Sequence, residues 1–215
     1  MRRKPFVVVI SGPSGAGKST FVRRLLQRFP ELRFSVSATT RDIRAGEVPG
    51  REYHFLAGED FRRRIAAEEF LEHAEVHGAL YGTLRSEVKA AVDSGRSVLL
   101  DVDVQGGIQI KRRLPGAVLI FLLPPSMRVL EERLRARQTE SEETIQRRLR
   151  RAPEEIRCLE AYDYVVVNDT VESTQALLEA ILSAERLRRA HLVDDTGGED
   201  VVAEYLGESA RPPAP

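Results

Sequence analysis

An α/β fold with a mostly parallel central sheet is what this sequence predicts, and three observations carry the prediction. Short, largely apolar runs of strand length recur at Phe6–Ile10, Ser97–Val104, Ala117–Leu123 and Tyr164–Val167. They are rich in β-branched residues, as strands buried on both faces require. Helical patterns follow them, so strands and helices alternate in both halves of the chain. The first strand–helix junction, Gly12-Pro-Ser-Gly-Ala-Gly17-Lys18-Ser19, fits the phosphate-binding loop pattern G-x-x-x-x-G-K-[ST].

Phosphate oxygens need many donors packed closely, and this loop supplies them. Gly12, Gly15 and Gly17 let the backbone bend through conformations that other residues resist and bring N–H groups near an anion. The helix that opens here aims the positive end of its dipole at the same place. Lys18 can reach the outer phosphates of a nucleotide, and the Ser19 hydroxyl can join a Mg²⁺ shell. A glycine-rich turn with a chance Gly-Lys-Ser is the plain alternative; the flanking strand and helix favour the loop. The chain holds only four lysines, Lys4, Lys18, Lys89 and Lys111, so the background would rarely place one at this position.

In order along the chain, Phe6–Ile10 is the first strand and Phe21–Leu26 the first helix. Leu32–Val36 reads as a short strand, followed by a polar stretch to Glu47 with Arg41 and Arg44 three apart. Gly50–Leu56 reads as a strand with Tyr53 and Phe55 on one face. Asp60–Glu72 reads as a helix with Phe61, Ile65, Phe70 and Leu71 on its apolar side. Ala74–Tyr81 reads as extended with a turn at Gly82, and Thr83–Ser94 as a helix closed by Gly95. Ser97–Val104 is a strand on which Asp101 and Asp103 share a face, and Gln105–Leu114 is a helix. Ala117–Leu123 is a strand stopped by Pro124-Pro125. Ser126 caps a helix from Met127 to about Arg137, and Thr139 with Glu142 predicts a capping box for the next helix, towards Tyr162. Tyr164–Val167 is a strand and Ser173–Arg189 the last helix. The composition then turns to DDTGGED and ESARPPAP, and residues 191–215 read as a mobile tail. The polar region from Ser35 to about Tyr81 interrupts the alternation like an inserted subdomain.

At 215 residues the chain is one domain, or one with small insertions, and long enough to bury a substantial core. A formal net charge of zero argues against coating nucleic acid by bulk electrostatics. The single cysteine, Cys158, excludes an internal disulfide framework or a cysteine-built metal site and reads as an apolar filler. His54, His73, His77 and His191 form no metal-ligand pattern. The apolar runs are too short to span a bilayer, and the basic start is followed by only five apolar residues, unlike a secretory signal. The expectation is a cytoplasmic protein without membrane or nucleic-acid partners. No pattern in the sequence speaks to its oligomeric state.

These residues resemble the guanylate kinases, which are nucleoside monophosphate kinases, from Phe6 to about Arg189. The most specific element is Ser37-Ala-Thr-Thr-Arg41-x-x-Arg44-x-Gly46-Glu47 with Tyr53-His-Phe after it. Phe70-Leu-Glu72, Tyr81-Gly-Thr83, Leu100-Asp101-Val-Asp103-x-Gln105-Gly106 and Val167-Asn168-Asp169 match further. The resemblance implies a three-layer P-loop kinase fold over 1–190, with core segments 5–34, 84–126 and 157–190, a GMP-binding subdomain over about 35–83 and a helical lid over about 127–156. It implies transfer of the γ-phosphoryl group of Mg-ATP to GMP, and to dGMP, giving ADP and GDP in purine nucleotide metabolism. Mg²⁺ is then the cofactor, and ATP and GMP are the small-molecule partners. Gly12, Pro13, Ser14, Gly15, Ala16, Gly17, Lys18, Ser19 and Thr20 become the ATP-binding loop, with Ser19 towards the metal. Arg41, Arg44, Tyr53 and Tyr81 hold the GMP phosphate, with Glu47 beside them, while Ser37, Glu72, Thr83 and Asp103 face guanine. Arg133, Arg137 and Arg148 match lid arginines that act with Lys18 and Arg41 on the transferring group. Asp101 acts through a metal-bound water or by anchoring an arginine. Two departures stand out: Gln138 where the family commonly has glycine before Thr-Glu, and Leu80 where it commonly has an aromatic.

Elementary chemistry agrees. Guanine presents two neighbouring donors, the ring N1–H and the exocyclic amine, and carboxylates are acceptors only. Glu72 and Asp103 suit those donors, a hydroxyl of Ser37 or Thr83 suits the carbonyl or N7, and adenine would meet the acids with an unprotonated N1. Arg41 and Arg44 offer planar forks for a terminal phosphate. Read singly, Glu72 is a solvated acid at a helix end, and Tyr53 and Tyr81 are core residues. Arg128, Arg135, Arg147, Arg150 and Arg151 crowd the lid region, so only the family register selects particular arginines there. A ribosyl bisphosphate kinase of the same fold would not need the acid pair. A peptide-binding scaffold of guanylate-kinase type would lack the intact Gly17-Lys18-Ser19, and a GTPase or general ATPase switch does not suit the Thr-Thr-Arg element.

Overall fold

Five strands form one wholly parallel sheet, whose three inner strands are apolar runs buried on both faces, whereas the two edge strands are part-exposed. The computed structural model describes residues 2–44, 46–76, 78–136 and 141–193. Arg2–Arg3 (β1) precedes the central strand Val7–Ser11 (β2), and Lys18–Arg28 (α1) follows the phosphate loop. Leu32–Phe34 (β3), Ser97–Asp101 (β8), Val118–Leu123 (β9) and Tyr164–Val167 (β10) complete the sheet, in the order β10-β9-β2-β8-β3.

Alternation along β2 makes three layers. Val8 and Ile10 point to one side, where they pack with Phe21 and Leu25 of α1 and with Leu178 and Leu182 of the last helix, Val171–Leu187 (α7). Val7 and Val9 point to the other side, among Val88 and Ala91 of Arg85–Asp93 (α3) and Ile110 of Val104–Arg113 (α4). Thr170 caps α7, its hydroxyl accepting from the Ser173 N–H, which sets that helix start two residues before the expected one.

A second, four-stranded sheet comes from the polar interruption. Its strands are Ala38–Thr39 (β4), His54–Phe55 (β5), Phe70–Val76 (β6) and Ala79–Leu84 (β7), in the order β5-β4-β7-β6, with Gly58–Ala66 (α2) packing Phe61 on Phe70. Three expectations need correction here. The helix expected over Asp60–Glu72 ends at Ala66, and Phe70, Leu71 and Glu72 belong to β6. The stop is made by Glu68 in the left-handed region, φ 54°, a role glycine usually fills, so the sequence shows no break there. The turn expected at Gly82 lies instead between β6 and β7, where Gly78 has φ 80°. Gly82 is within β7 and leaves room for a neighbour: a Cβ on it would stand 2.8 Å from the Glu72 carbonyl oxygen and 2.8 Å from the Phe70 ring. Thr83 is accordingly a strand residue. Of Gly50–Leu56 only His54–Phe55 is strand, because Gly50 and Arg51 form a turn.

β8 stops at Asp101, so Asp103 does not share a strand face with it; Asp103 is the N-cap of α4. Met127–Ala136 (α5), capped by Ser126, and Glu142–Arg157 (α6) form a helical pair that packs through Leu130, Leu134 and Ile145. Ser141 caps α6, accepting from the Thr144 N–H. Thr139, expected in that role, lies outside the described residues, as do Arg137 and Gln138. Leu192–Val193 (β11) pairs antiparallel with β1, so residues 191–193, placed in the tail by the sequence, belong to the folded body; 194–215 lie outside the described residues. No helix among the described residues is long and apolar enough to cross a membrane.

Candidate active site

The carboxyl ends of β2 and β8 open into a crevice, the usual ligand position in a parallel α/β sheet. At the end of β2 the chain turns sharply through Gly12, φ 147°, where a Cβ would stand 2.2 Å from the Leu122 carbonyl oxygen. Gly17, φ 98°, is the N-cap of α1, so the N-terminus of that helix faces the loop. Lys18 folds back, its ammonium donating to the Gly12 carbonyl at 2.7 Å. From the carboxyl end of the edge strand β10, the Asn168 amide donates to the Ala16 carbonyl at 2.7 Å and is itself oriented by the Thr174 hydroxyl at 3.2 Å. Sequence reasoning gave Asn168 no role; its place in the Val167-Asn168-Asp169 match was the available signal.

Asp101, at the tip of β8, accepts from the Ser19 hydroxyl at 3.4 Å. Burial raises its pKa, while the Lys18 charge and the Ser19 hydrogen bond pull it back. Arg148 of α6 donates to the Ser14 hydroxyl, so the helical pair already touches the loop. Arg133 of α5 lies behind the loop, donating to the Asn168 carbonyl at 2.9 Å. Gly12, Ser14 and Lys18, with Arg147, Arg148, Arg151 and Glu155, line a cavity of about 270 Å³. Arg147, Arg151 and Glu155 carry no site signal in the sequence, where they look like any solvated helix face. Burial raises the Glu155 pKa, against the pull of Lys18.

Beside it lies a cavity of about 170 Å³ lined by Ser37, Tyr53, Glu72, Tyr81, Asp101 and Asp103 among others. Asp103 and Val76 belong to both walls. Glu72 is 5% exposed, so the solvated helix-end reading does not hold. Desolvation pushes its pKa up to about 7, opposed by the Thr83 hydroxyl, which donates to Oε1 at 2.7 Å. Thr83 itself is fully buried beneath the acid. Asp103 spends one oxygen on capping α4, accepting from the Gly106 N–H at 2.7 Å, which leaves acceptor capacity on the carboxylate for a ligand.

Arg41 lies over the rings of Tyr53 and Phe55, 5.4 and 5.7 Å from their centroids. Glu47 holds its guanidinium with two bonds, 2.7 and 3.0 Å, and accepts the Arg44 N–H at 2.7 Å. That clamp keeps the Glu47 carboxyl below the usual carboxylate range. Tyr53 and Tyr81 meet edge to face at 5.8 Å. Arg44 is exposed on the loop beyond. A larger cavity, about 550 Å³, lies elsewhere: it is a mainly apolar groove at the opposite end of the sheet, among Phe6, Leu71, Val88, Leu114 and His191. It brings together none of the predicted site residues.

Comparison with known proteins falls in line with this geometry. The sequence profile of the family described as Guanylate kinase matches residues 3–185. The guanylate kinase of Clostridium perfringens (strain SM101 / Type A) is 48% identical over 202 residues, covering 93% of this chain and 94% of that protein. That of Symbiobacterium thermophilum is 50% identical over 185 residues, 86% of this chain and 88% of the relative. That of Anaeromyxobacter dehalogenans is 49% identical over 208 residues, 96% and 91% respectively. The crystal structure of guanylate kinase from Anaplasma phagocytophilum superposes with a TM-score of 0.76 at 33% identity, covering 97% of this chain and 99% of that one. With a phosphate loop and a carboxylate-lined pocket side by side on the matching three-layer fold, the chain belongs to the guanylate kinase family of enzymes.

Proposed function

We propose that the chain transfers the γ-phosphoryl group of Mg-ATP to GMP, and to dGMP, in the cytoplasm. The observation that carries this is the pair of adjoining cavities with Asp103 in both walls, one built on Lys18 and the loop, the other on Glu72 and the tyrosines. The loop and Lys18 hold the β- and γ-phosphates. Glu72 and Asp103 accept the N1–H and amine of guanine, and Ser37 takes an acceptor of the base. Arg41, pre-set by Glu47, grips the acceptor phosphate with Arg44, Tyr53 and Tyr81. These contacts leave the sugar unread, which admits both GMP and dGMP.

Phosphoryl transfer rests on positioning and on stabilising charge, more than on a base. Arg148, with Arg133 and Arg137, neutralises the charge that spreads over the transferring group, and closure of the helical pair over the loop excludes water that would hydrolyse ATP. Arg133 has one η nitrogen buried without a hydrogen-bond partner among the described residues, available to a phosphate oxygen. The Ser19 hydroxyl and the Asp101 carboxylate are hard oxygen donors 3.4 Å apart, a fit for Mg²⁺, which takes few protein ligands alongside phosphate oxygens and water. Bound there, the ion would neutralise phosphate charge.

A panel of nucleoside monophosphates with Mg-ATP, reading ADP release, tests the proposal. ADP release that requires GMP or dGMP, with AMP, CMP and UMP inert, is the expected result. Phosphate release without an acceptor would favour an ATPase, and absence of nucleotide binding a scaffold.

A further inference from the structure

We propose that Gly106, Gln109 and Arg113 of α4 are positioning residues that aim Glu72 and thereby set the preference for guanine. This rests on reading Glu72 and Asp103 as the base-reading pair. The three residues share one helix face by spacing. Gln109 makes a reciprocal pair with the backbone of His73: its Nε2 donates to the His73 carbonyl at 3.1 Å, and the His73 N–H donates to its Oε1 at 3.3 Å. Arg113 donates to the carbonyls of Phe70 and Leu71, each at 2.9 Å. The residues on both sides of Glu72 are therefore held by α4.

The second sheet does not do this by itself. β6 is an edge strand, so one side of its backbone lacks a neighbouring strand. Its ladder with β7 is irregular between Phe70 and Glu72. α4 takes the place of the missing strand where the ladder is weakest. Gly106 completes the arrangement, because a Cβ there would stand 2.9 Å from Glu72 Oε2 and 3.2 Å from Asp103 Oδ1. The bare Cα lets the two carboxylates approach over one helix turn. A face built only for packing would be apolar; this one devotes a glycine, an amide and a guanidinium to four consecutive residues of the strand.

The test compares GMP with inosine monophosphate, which lacks the exocyclic amine, as acceptors for the full chain and three variants. For Gln109→Ala, Arg113→Met and Gly106→Ala, the GMP-over-IMP ratio of kcat/KM falls about tenfold, chiefly through KM for GMP. KM for ATP stays within about twofold, and Arg113→Lys restores part of the ratio. Gly106→Ala separates positioning from stability: alanine's gain in helix propensity offsets the cost of displacing the two carboxylates, so its melting temperature changes little while its selectivity falls. A ratio that survives all three substitutions, with stability and both activities declining together, overturns the positioning role alone. A parent protein that does not prefer GMP to IMP overturns the base-reading pair and this inference with it.

Discussion

Replacing Glu72 by glutamine should exchange activity for stability, in proportions set by pH. The carboxylate is 5% exposed, and burial moves its pKa from 4.5 to about 7. That is a displacement of about 2.5 pH units at about 1.4 kcal/mol each, so ionising Glu72 in the folded protein costs on the order of 3 kcal/mol. The sign follows from proton counting. Between pH 4.5 and 7 the folded protein keeps a proton that the unfolded chain has released, so stability falls as pH rises through that window. Below the window the cost is absent; above it the cost is complete. Glutamine has the same shape, keeps a carbonyl for the Thr83 hydroxyl and has no charge to bury. Glu72→Gln is therefore more stable than the parent by about 1–3 kcal/mol at pH 8, or about 3–10 °C in Tm, and by less than about 1 kcal/mol at pH 5. Its amide also turns a donor towards guanine, and kcat/KM for GMP falls about a hundredfold. Urea unfolding at the two pH values, with steady-state assays beside it, checks both halves. A variant less stable than the parent at pH 8, or a stability gap equal at pH 5 and pH 8, refutes the reasoning.

Other expectations rest on separate contacts. In the parent, kcat/KM for GMP rises with pH and levels off above about 7, as Glu72 becomes an acceptor; in Glu72→Gln that limb disappears and only the substrate phosphate's own ionisation near about 6 remains in the pH–rate profile. Lys18→Ala keeps its circular dichroism and Tm but loses about a hundredfold or more in kcat; activity within a few-fold of the parent would remove Lys18 from its role. Asn168→Ala orphans the Ala16 carbonyl, costs about 1–3 kcal/mol in denaturant unfolding and raises KM for ATP more than KM for GMP. Gly12→Ala drives a methyl into the Leu122 carbonyl oxygen and lowers stability by more than about 2 kcal/mol, readable as a loss of soluble, ATP-binding protein.

Much of the molecule was legible from residue order, and what was not has identifiable causes. The parallel sheet could be read because β2, β8, β9 and β10 are apolar on both faces and bounded by turn residues. The phosphate loop could be read because its glycines answer a backbone demand that leaves a pattern. The second sheet was harder. Its strands are short, and α2 stops at a glutamate in the left-handed region, so the helical pattern of the sequence runs on into Phe70 and Leu71. Glu72 thus looked solvated when it is a buried acid, and its role came from the family register alone. Arg147, Arg151 and Glu155 were hidden for a different reason: on a helix where charge is the background, another arginine carries no signal. The Gln109 and Arg113 contacts were out of reach altogether, since a side chain bonded to main-chain atoms of a distant strand leaves no trace in local composition.

The hydrogen bond from Asn168 to Ala16 spans 152 positions of chain. The loop lies at the first strand–helix junction, and the amide that braces it lies just beyond the edge strand β10. A fragment ending short of residue 168 carries every glycine of the loop and its lysine, yet lacks the brace. The shape of the loop is therefore a property of the assembled sheet and not of its own short segment, since the glycines follow β2 while their brace follows β10.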